Sequence, residues 1–512
     1  MKKIFKYLMV ALIVPVACLF GGCSVKDKPV SIQSITKTDS VGVVDTYTIT
    51  YTNGKTEQFT IVNGQNGENL YTNITINDLY DEVKDTKPAG YTLIDFIDEY
   101  LDIQVDTNAI ASAKALRSAV SIYVEHEIEI VDYNNKISST QSIYGEEITY
   151  GFKDSITWGG GSGVIYDLDK TTGDAYIITN YHVCFNAEAN ALDGIATRFT
   201  IYTYGSESLD LNQLNYLYYY NLNCKEYGYL FEQYDENGFP VLDYGYGAIE
   251  AEYVGGSATY DIAVLKVSGS ELLKNSDCLA TDVYNSDLVD VGSTAIAVGN
   301  PGGAGISTTK GVISVDSEYI SSETTVLREF RIDTPVNSGN SGGGLFDGFG
   351  RLIGIVNAKT TDSVTYENMG YAIPSNIATR VADCIIDMCN GVTRQFSKAV
   401  IGMSLNTDSS QGKYDETTGT MKIVEVVSID EITHNSVADK IGLDVGDILT
   451  SVEIIKPDET IVVTADRLFK VIDIILLVRD GDCVKFNYTR DGVAGSATTP
   501  ILTIADHFFI IP

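Results

Sequence analysis

The chain has 512 residues, 44% of them apolar, enough for about three domains with cores of their own. Its 35 Lys plus Arg stand against 69 Asp plus Glu, a formal net charge of −34. A surface that acidic repels nucleic acid and anionic lipid headgroups and keeps a chain soluble, so no nucleic-acid partner is expected.

Residues 1–22 open Met1-Lys2-Lys3-Ile4-Phe5-Lys6, continue as an apolar stretch from Tyr7 to Phe20 and end Gly21-Gly22 before Cys23. Three lysines, a short apolar core and small residues ahead of a cut point describe an export signal, too short for a convincing spanning helix. The small residues before Cys23 resemble the lipobox of bacterial lipoproteins, with Phe20 where leucine is usual. That resemblance implies cleavage after residue 22, acylation of Cys23 and a chain held by its lipid on the extracytoplasmic side of the bacterial cell envelope. A simple secreted protein and an uncleaved anchor are the alternatives. Cleavage leaves 32 basic and 69 acidic side chains, net −37, so any hold on an acidic membrane is hydrophobic.

Residues 23–67 read as a tether and a small β module. Tyr47-Thr48-Ile49-Thr50-Tyr51-Thr52 alternates, Asn53-Gly54 signals a turn, and Phe59-Thr60-Ile61-Val62 resumes, which predicts a β-hairpin of marginal stability alone. An acidic, partly helical run makes 68–108 a connector. Val120-Ser121-Ile122-Tyr123-Val124 then opens a β-rich region expected over 109–395. His126, in Val124-Glu125-His126-Glu127, reads as the exposed side of an alternating strand. Gly159-Gly160-Gly161-Ser162-Gly163 leads into Val164-Ile165-Tyr166, a strand where a dinucleotide loop would open a helix, so it reads as the start of a hairpin.

Three segments then supply one chemistry. Thr179-Asn180-Tyr181-His182-Val183 carries a base, Asp261-Ile262-Ala263-Val264-Leu265 an orienting acid, and Gly339-Asn340-Ser341-Gly342-Gly343 a nucleophile. A serine hydroxyl needs an imidazole to take its proton and a carboxylate to hold that imidazole in the right tautomer. Glycines around Ser341 allow backbone N–H groups, expected to be those of Gly339 and Ser341, to converge on an oxyanion. Between His182 and Asp261, residues 201–250 hold eleven tyrosines, including Tyr218-Tyr219-Tyr220. This insertion reads as a surface hairpin with its rings packed down; the alternative is an aromatic rim for substrate or a sister subunit. His434 and His507 read as solvated.

The order His182, Asp261, Ser341 is that of chymotrypsin-like enzymes. Gly161-Ser162-Gly163-Val164-Ile165, Asn180-Tyr181-His182-Val183, Asp261 opening an apolar strand, Val298-Gly299-Asn300-Pro301-Gly302, Asn337 to Gly343, and Gly370-Tyr371-Ala372-Ile373-Pro374 occur in that succession. Together they closely resemble the HtrA (DegP-like) family of trypsin-like serine proteases over about residues 110–506. The resemblance implies a mainly β chain with a chymotrypsin-like double β-barrel protease domain. It also implies a primary specificity pocket lined by Pro335, Val336, Asn357 and Ala358. No buried carboxylate is foreseen near Pro335, so cleavage after small or medium apolar residues is expected. Family members often form trimers; no feature of this sequence independently sets that number.

After Arg394 the character changes. Ile401-Gly402-Met403-Ser404-Leu405, the strand Met421 to Val426, and Ser436 to Leu449 look like a PDZ domain, β-rich with short helices, over 396–506. In that family the loop at Ile401, Gly402 and Met403 offers N–H groups to a terminal carboxylate while the next edge strand pairs with the peptide. A short helix is expected to begin at Ala438 and stop at Gly442, and a helix over 465–478 to wall the groove. The apolar tail 507–512 reads as a last strand extension or, alternatively, a ligand for a neighbouring PDZ domain.

Six cysteines remain after Cys18 and Cys23. Cys184 could pair with Cys224, and Cys384 and Cys389 sit on a helix-like stretch as buried thiols. No clustered His/Cys set has metal-ligand spacing, so neither metal nor cofactor is expected. Two function classes follow: an envelope-anchored serine endopeptidase acting on misfolded or regulatory exported polypeptides, with PDZ-mediated capture or gating, and a capture or holdase protein that keeps the protease fold.

Overall fold

The computed structural model describes residues 32–41, 44–51, 55–62, 107–142, 145–189, 192–209, 243–321, 326–357, 369–388, 396–416 and 418–510. The export signal, Cys23, residues 68–106 of the connector, residues 210–242 of the insertion, Cys224, Ala358, Lys359, Cys389 and the last two residues lie outside them. The chain divides into two compact units, residues 1–106 and 107–512.

The first unit contains an antiparallel sheet of β1 (Ile32–Val41), β2 (Val44–Tyr51) and β3 (Thr56–Val62), in that order. β2 and β3 are the two alternating runs of the sequence, with Tyr47 opposite Phe59. β1 is an addition to that hairpin, pairing Ile35 with Ile49. Its run of Ser34, Thr36, Lys37, Thr38, Asp39 and Ser40 carries too little apolar alternation to announce a strand.

The second unit opens with helix α1 (Thr107–Leu116), whose Ala111 and Ala115 are fully buried. Six antiparallel strands follow: β4 (Ala119–Ser142), β5 (Gly145–Asp169), β6 (Asp174–Thr179), β7 (Arg198–Thr203), β8 (Ile249–Ser257) and β9 (Ile262–Val267). They close into a barrel in the order β4-β5-β6-β9-β8-β7. A second barrel closes as β10-β11-β12-β15-β14-β13 from β10 (Thr294–Gly299), β11 (Ser307–Ser321), β12 (Val326–Ile332), β13 (Gly344–Phe346), β14 (Leu352–Asn357) and β15 (Gly370–Pro374). Each barrel has its own core, of Val120, Ile122, Ile177 and Leu265 in the first and Ile313, Phe330, Ile353 and Val356 in the second. Between them Val164, Ile178, Val264, Val298, Phe346 and Ile373 form a third, capped by α1 and by Ile377, Ala378 and Val381 of a later helix. One-turn α2 (Tyr181–Cys184), α3 (Glu271–Asn275) and the 14-residue α4 (Ser375–Met388) complete this part. The two-barrel architecture gives the mainly β fold that the motifs implied.

Two local expectations change. The glycine run at 159–163 does not start a hairpin; it lies inside β5, paired with Val120 to Val124. His126 is 4% exposed rather than solvated. The two-residue period puts it on the face of Val124 and Ile128, which is the inward one here, and turns Glu127 and Glu129 outward.

After α4 come β16 (Ser397–Ala399), β17 (Met403–Asp415), β18 (Thr420–Ile432), the short helix α5 (Val437–Lys440), β19 (Ile448–Ile455), β20 (Thr460–Thr464), α6 (Leu468–Asp473), β21 (Cys483–Arg490), β22 (Val493–Thr498), α7 (Ile504–His507) and β23 (Phe508–Ile510). The main sheet runs β17-β18-β19-β21-β22, with β20 against β19, so β17 is an edge. The helix expected over 465–478 is only α6 plus a 3-10 turn, Ile474–Leu477. Val471, Ile472, Ile474 and Ile475 are β-branched and resist continued α-helix. β23 pairs with β16, Phe508 opposite Ala399, so Phe508 to Ile510 of the apolar tail form a strand. His507 is half-buried and its Nδ1 accepts the Thr503 N–H at 3.0 Å, a local cap that the expectation of a solvated ring missed; His434 is well exposed.

Candidate active site

β6 ends at Thr179, and the chain turns through fully buried Asn180 into α2, which presents His182. On the neighbouring strand, Asp261 stands just ahead of β9 in the left-handed region at φ 48°, which aspartate tolerates better than most side chains. Asn180 Nδ2 donates to its carbonyl at 2.9 Å and fixes that turn. One carboxylate oxygen of Asp261 accepts the His182 backbone N–H at 2.9 Å, and the other lies 2.7 Å from His182 Nδ1. A carboxylate accepts, so this contact puts the ring proton on Nδ1 and leaves Nε2 as the acceptor.

The loop 337–343 lies against this strand end. A Cβ on Gly342, at φ 82°, would strike Thr179 Oγ1 and come within 3.0 Å of the Asn180 nitrogen, so only glycine lets Ser341 approach so closely. Ser341 is 7% exposed, and its carbonyl accepts the Ser162 N–H at 2.8 Å. Gly342 N donates to Val356 O, and Val356 N to Gly343 O, at 3.0 and 2.8 Å, pinning the turn to β14. Gly339 is also left-handed, at φ 98°, and among the described residues no backbone carbonyl takes its N–H. The fold therefore brings His182, Asp261, Ser341 and Gly339 to one junction between the barrels.

Several residues at this junction carried no separate signal in the sequence. Ser162 Oγ donates to Gly339 O at 2.6 Å and accepts the Asn300 N–H at 2.8 Å. Thr179 Oγ1 donates to Ser162 O at 2.7 Å. The only hint was position, since Ser162, Asn180 and Asn300 each sit inside a quoted motif.

On the pocket side, Pro335 is exposed and Val336 packs on the second barrel core. Asn357, 7% exposed, donates through Nδ2 to Glu329 Oε1 at 2.7 Å. Glu329 is itself 3% exposed, which corrects the expectation that no buried carboxylate stands near this pocket. It lies on β12, six residues before Pro335, in a strand whose residues 327–330 are all buried. Asp333 accepts the Val312 N–H at 2.6 Å. A cleft of about 300 Å³ opens on the other side, lined by Tyr123, Trp158, Gly159 to Gly161, Asn300, Gly302, Gly303, Ser338 and Gly339.

Cys184, beside the base, is a free and fully buried thiol whose pKa burial pushes far up, with Asp261 adding to the effect. That makes it an inert packing group. No cluster of three or more potential metal ligands occurs among the described residues. In the C-terminal sheet, Gly402 O accepts from Thr433 N at 2.9 Å and Ser436 Oγ at 3.1 Å, and Ile401 O from Ala438 N at 2.9 Å, so the start of α5 holds the 401–403 loop.

A family model described as the trypsin-like peptidase domain matches residues 161–355. The serine protease Do-like HtrA of Lactococcus lactis subsp. lactis (strain IL1403) is 28% identical over 419 residues, which are 77% of this chain and 83% of that protein. The periplasmic serine endoprotease DegP of Escherichia coli (strain K12) is 28% identical over 203 residues, 40% of each chain. Among solved structures, HtrA-type protease AlgW with tripeptide matches at 20% identity and a TM-score of 0.44, covering 79% of this chain and 98% of that one.

Proposed function

Because the chain is an HtrA-type serine protease with a trypsin-like peptidase domain, we propose that it works as a lipid-anchored endopeptidase of the bacterial envelope that cuts misfolded or regulatory exported polypeptides. The observation that carries the reading is the 2.7 Å contact of His182 Nδ1 with Asp261, at a junction that also holds Ser341. In the proposed cycle His182 Nε2 takes the Ser341 proton as the hydroxyl attacks the scissile carbonyl, then returns it to the leaving amine. Asp261 keeps the ring in that tautomer and stabilises the imidazolium. The Gly339 and Ser341 N–H groups receive the oxyanion, each donor being worth about 3 kcal/mol in the transition state. No cofactor takes part in these steps.

The finer parts of the reading rest on separate features. Cys23, after its apolar leader, is the proposed lipid attachment. Residues 396–506 are proposed as a PDZ domain, supported by an edge strand, β17, that follows the Ile401-Gly402-Met403 loop and has α6 beside it. Such an edge captures an extended C-terminus by adding it as a strand. Pro335, Val336, Asn357 and Ala358 are proposed to line the pocket for the residue before the cut.

The test is cleavage of unfolded casein by residues 24–512 beside Ser341→Ala, with a serine-reactive phosphonate applied to both. Cleavage and labelling that vanish together in the mutant are expected. Absence of both from the wild-type chain would instead favour a protein that captures polypeptides without cutting them.

A further inference from the structure

The cleft beside Gly339 has no role in the cycle above. Its position sets the side of the substrate it can meet. The residues proposed for the acyl side, Pro335, Val336 and Asn357, belong to the second barrel and line none of it. The cleft lies instead between β5 of the first barrel and the Asn300–Gly303 turn. A peptide whose carbonyl oxygen points at Gly339 and whose leaving nitrogen faces His182 must run toward this cleft with its departing half. Neither Ser341 nor His182 lines it, which sets the cleft one step away from the reacting bond and favours the second departing residue over the first as its guest.

The walls are rigid and aromatic. Trp158, the chain's single tryptophan, is half-buried and donates through Nε1 to Glu125 Oε1 at 3.3 Å. Tyr123, 8% exposed, packs edge-on to Tyr202 at 5.6 Å, and its hydroxyl accepts Asn300 Nδ2–H at 3.2 Å. With both polar tips occupied, the two rings present carbon surface to the cleft beside glycine backbone, while Asn300 and Ser338 add a polar margin. A volume near 300 Å³ suits one or two side chains. Among the described residues no cation lines the cleft, and the Glu125 carboxylate behind Trp158 opposes an acidic guest.

We propose that Trp158 and Tyr123 form a leaving-group subsite that selects an aromatic or large aliphatic side chain at the second residue after the scissile bond. The proposal rests on the serine endopeptidase reading and adds a second specificity element to it. The binding gain comes from apolar surface removed from water against two fixed rings.

Acyl transfer isolates this side. An acyl-enzyme made from a peptidyl-valine ester is offered dipeptide amides: the amine nitrogen bonds to the acyl carbon, the bond from that carbon to Ser341 Oγ breaks, and the amine proton passes through His182 to Ser341. Gly-Phe-amide and Gly-Leu-amide are expected to be acylated about tenfold better than Gly-Gly-amide, with Gly-Asp-amide below it and Phe-Gly-amide no better than it. Trp158→Ala is expected to bring the Gly-Phe to Gly-Gly ratio to within about threefold. Gly160→Leu gives a second route: a Cβ there would lie 3.4 Å from Ile122 O and 3.8 Å from the Tyr123 ring, ordinary contacts, while the added side chain fills the cleft. The same ratio should fall. Phosphonate labelling and thermal unfolding report that each variant is folded. Equal transfer to all amides, a preference that follows the first position, stronger transfer to Gly-Arg-amide, or a ratio unmoved in both variants would overturn the subsite. A wild-type chain that neither reacts with the phosphonate nor hydrolyses the ester would overturn the proteolytic reading itself, and the subsite with it.

Discussion

Ser162 Oγ donates a 2.6 Å hydrogen bond to the Gly339 carbonyl, joining a strand of the first barrel to the loop that carries the nucleophile. The same oxygen accepts Asn300 N–H and the Ser162 N–H holds Ser341 O, so one small side chain aligns three segments. Ser162→Ala removes the link to Gly339 and leaves its carbonyl and the Asn300 N–H short of a partner. A fall in kcat of about tenfold to a hundredfold is expected, with KM moved less, because the aim of an oxyanion donor matters in the transition state more than in the bound substrate. Steady-state kinetics on a peptide ester, where acylation by a small substrate is read directly, checks it. A loss confined to KM would remove the positioning role.

Asp261 makes two different contacts to one residue, and they separate orientation from charge. Asp261→Asn keeps an acceptor for the His182 backbone N–H but can present an N–H to Nδ1, which moves the ring proton to Nε2 and leaves no base toward Ser341. A loss of about ten-thousandfold in kcat is expected at neutral pH. Folding should be nearly untouched, since Asn180 still holds the turn through the Asp261 carbonyl. Kinetics paired with thermal unfolding tells this apart from a variant that is simply unstable.

What the sequence showed of this site and what it hid follow from the range of the signals. His182, Asp261 and Ser341 could be read because each sits in a short segment with its own chemistry, and the strands around them alternate every second residue. Closure of two barrels depends on pairings such as β4 with β7, Val124 opposite Phe199, which no local pattern announces. Ser162 and Asn300 act through contacts 138 residues apart in the chain. Glu329 was hidden for the same reason, since its partner Asn357 lies two strands away across β15. His126 was misread on parity alone: the phase of the alternation, more than its existence, decides which face is buried.

That buried His126 gives the fold a pH dependence with a fixed sign. Burial holds its pKa below the ordinary value near 6.5, and its Nδ1 has no hydrogen-bond partner among the described residues. A histidine that resists protonation when folded binds fewer protons than when unfolded, so stability is lost as pH falls below about 6.5 toward the folded value. The unfolding midpoint should therefore drop between pH 7 and pH 5. His126→Gln, which cannot titrate, should show a shallower slope over that window. Equal slopes in both proteins would place the acid sensitivity elsewhere.

Arg328 and Asp473 form the clearest electrostatic link between the second barrel and the C-terminal sheet. Arg328 Nε donates to Asp473 Oδ2 at 2.9 Å, with side chains only 2% and 5% exposed, and its guanidinium lies 4.0 Å from the Phe469 ring centroid. Arg380 adds a 3.0 Å bond to the Asp473 carbonyl. Burial pushes the Asp473 pKa up while Arg328 pulls it back, the mark of a charge that depends on its partner. Removing either alone takes the main partner from the other in a poorly solvated place, leaving Arg328 with Asp287 at 3.7 Å and Asp473 with Arg380, so Asp473→Leu and Arg328→Met should each destabilise by about 3–5 kcal/mol. Replacing both with apolar side chains, Arg328→Met and Asp473→Leu, should cost clearly less than the sum of the two single losses. Urea midpoints for the four proteins close the cycle. Additive losses would mean that packing on Phe469, not the ion pair, joins these parts of the chain.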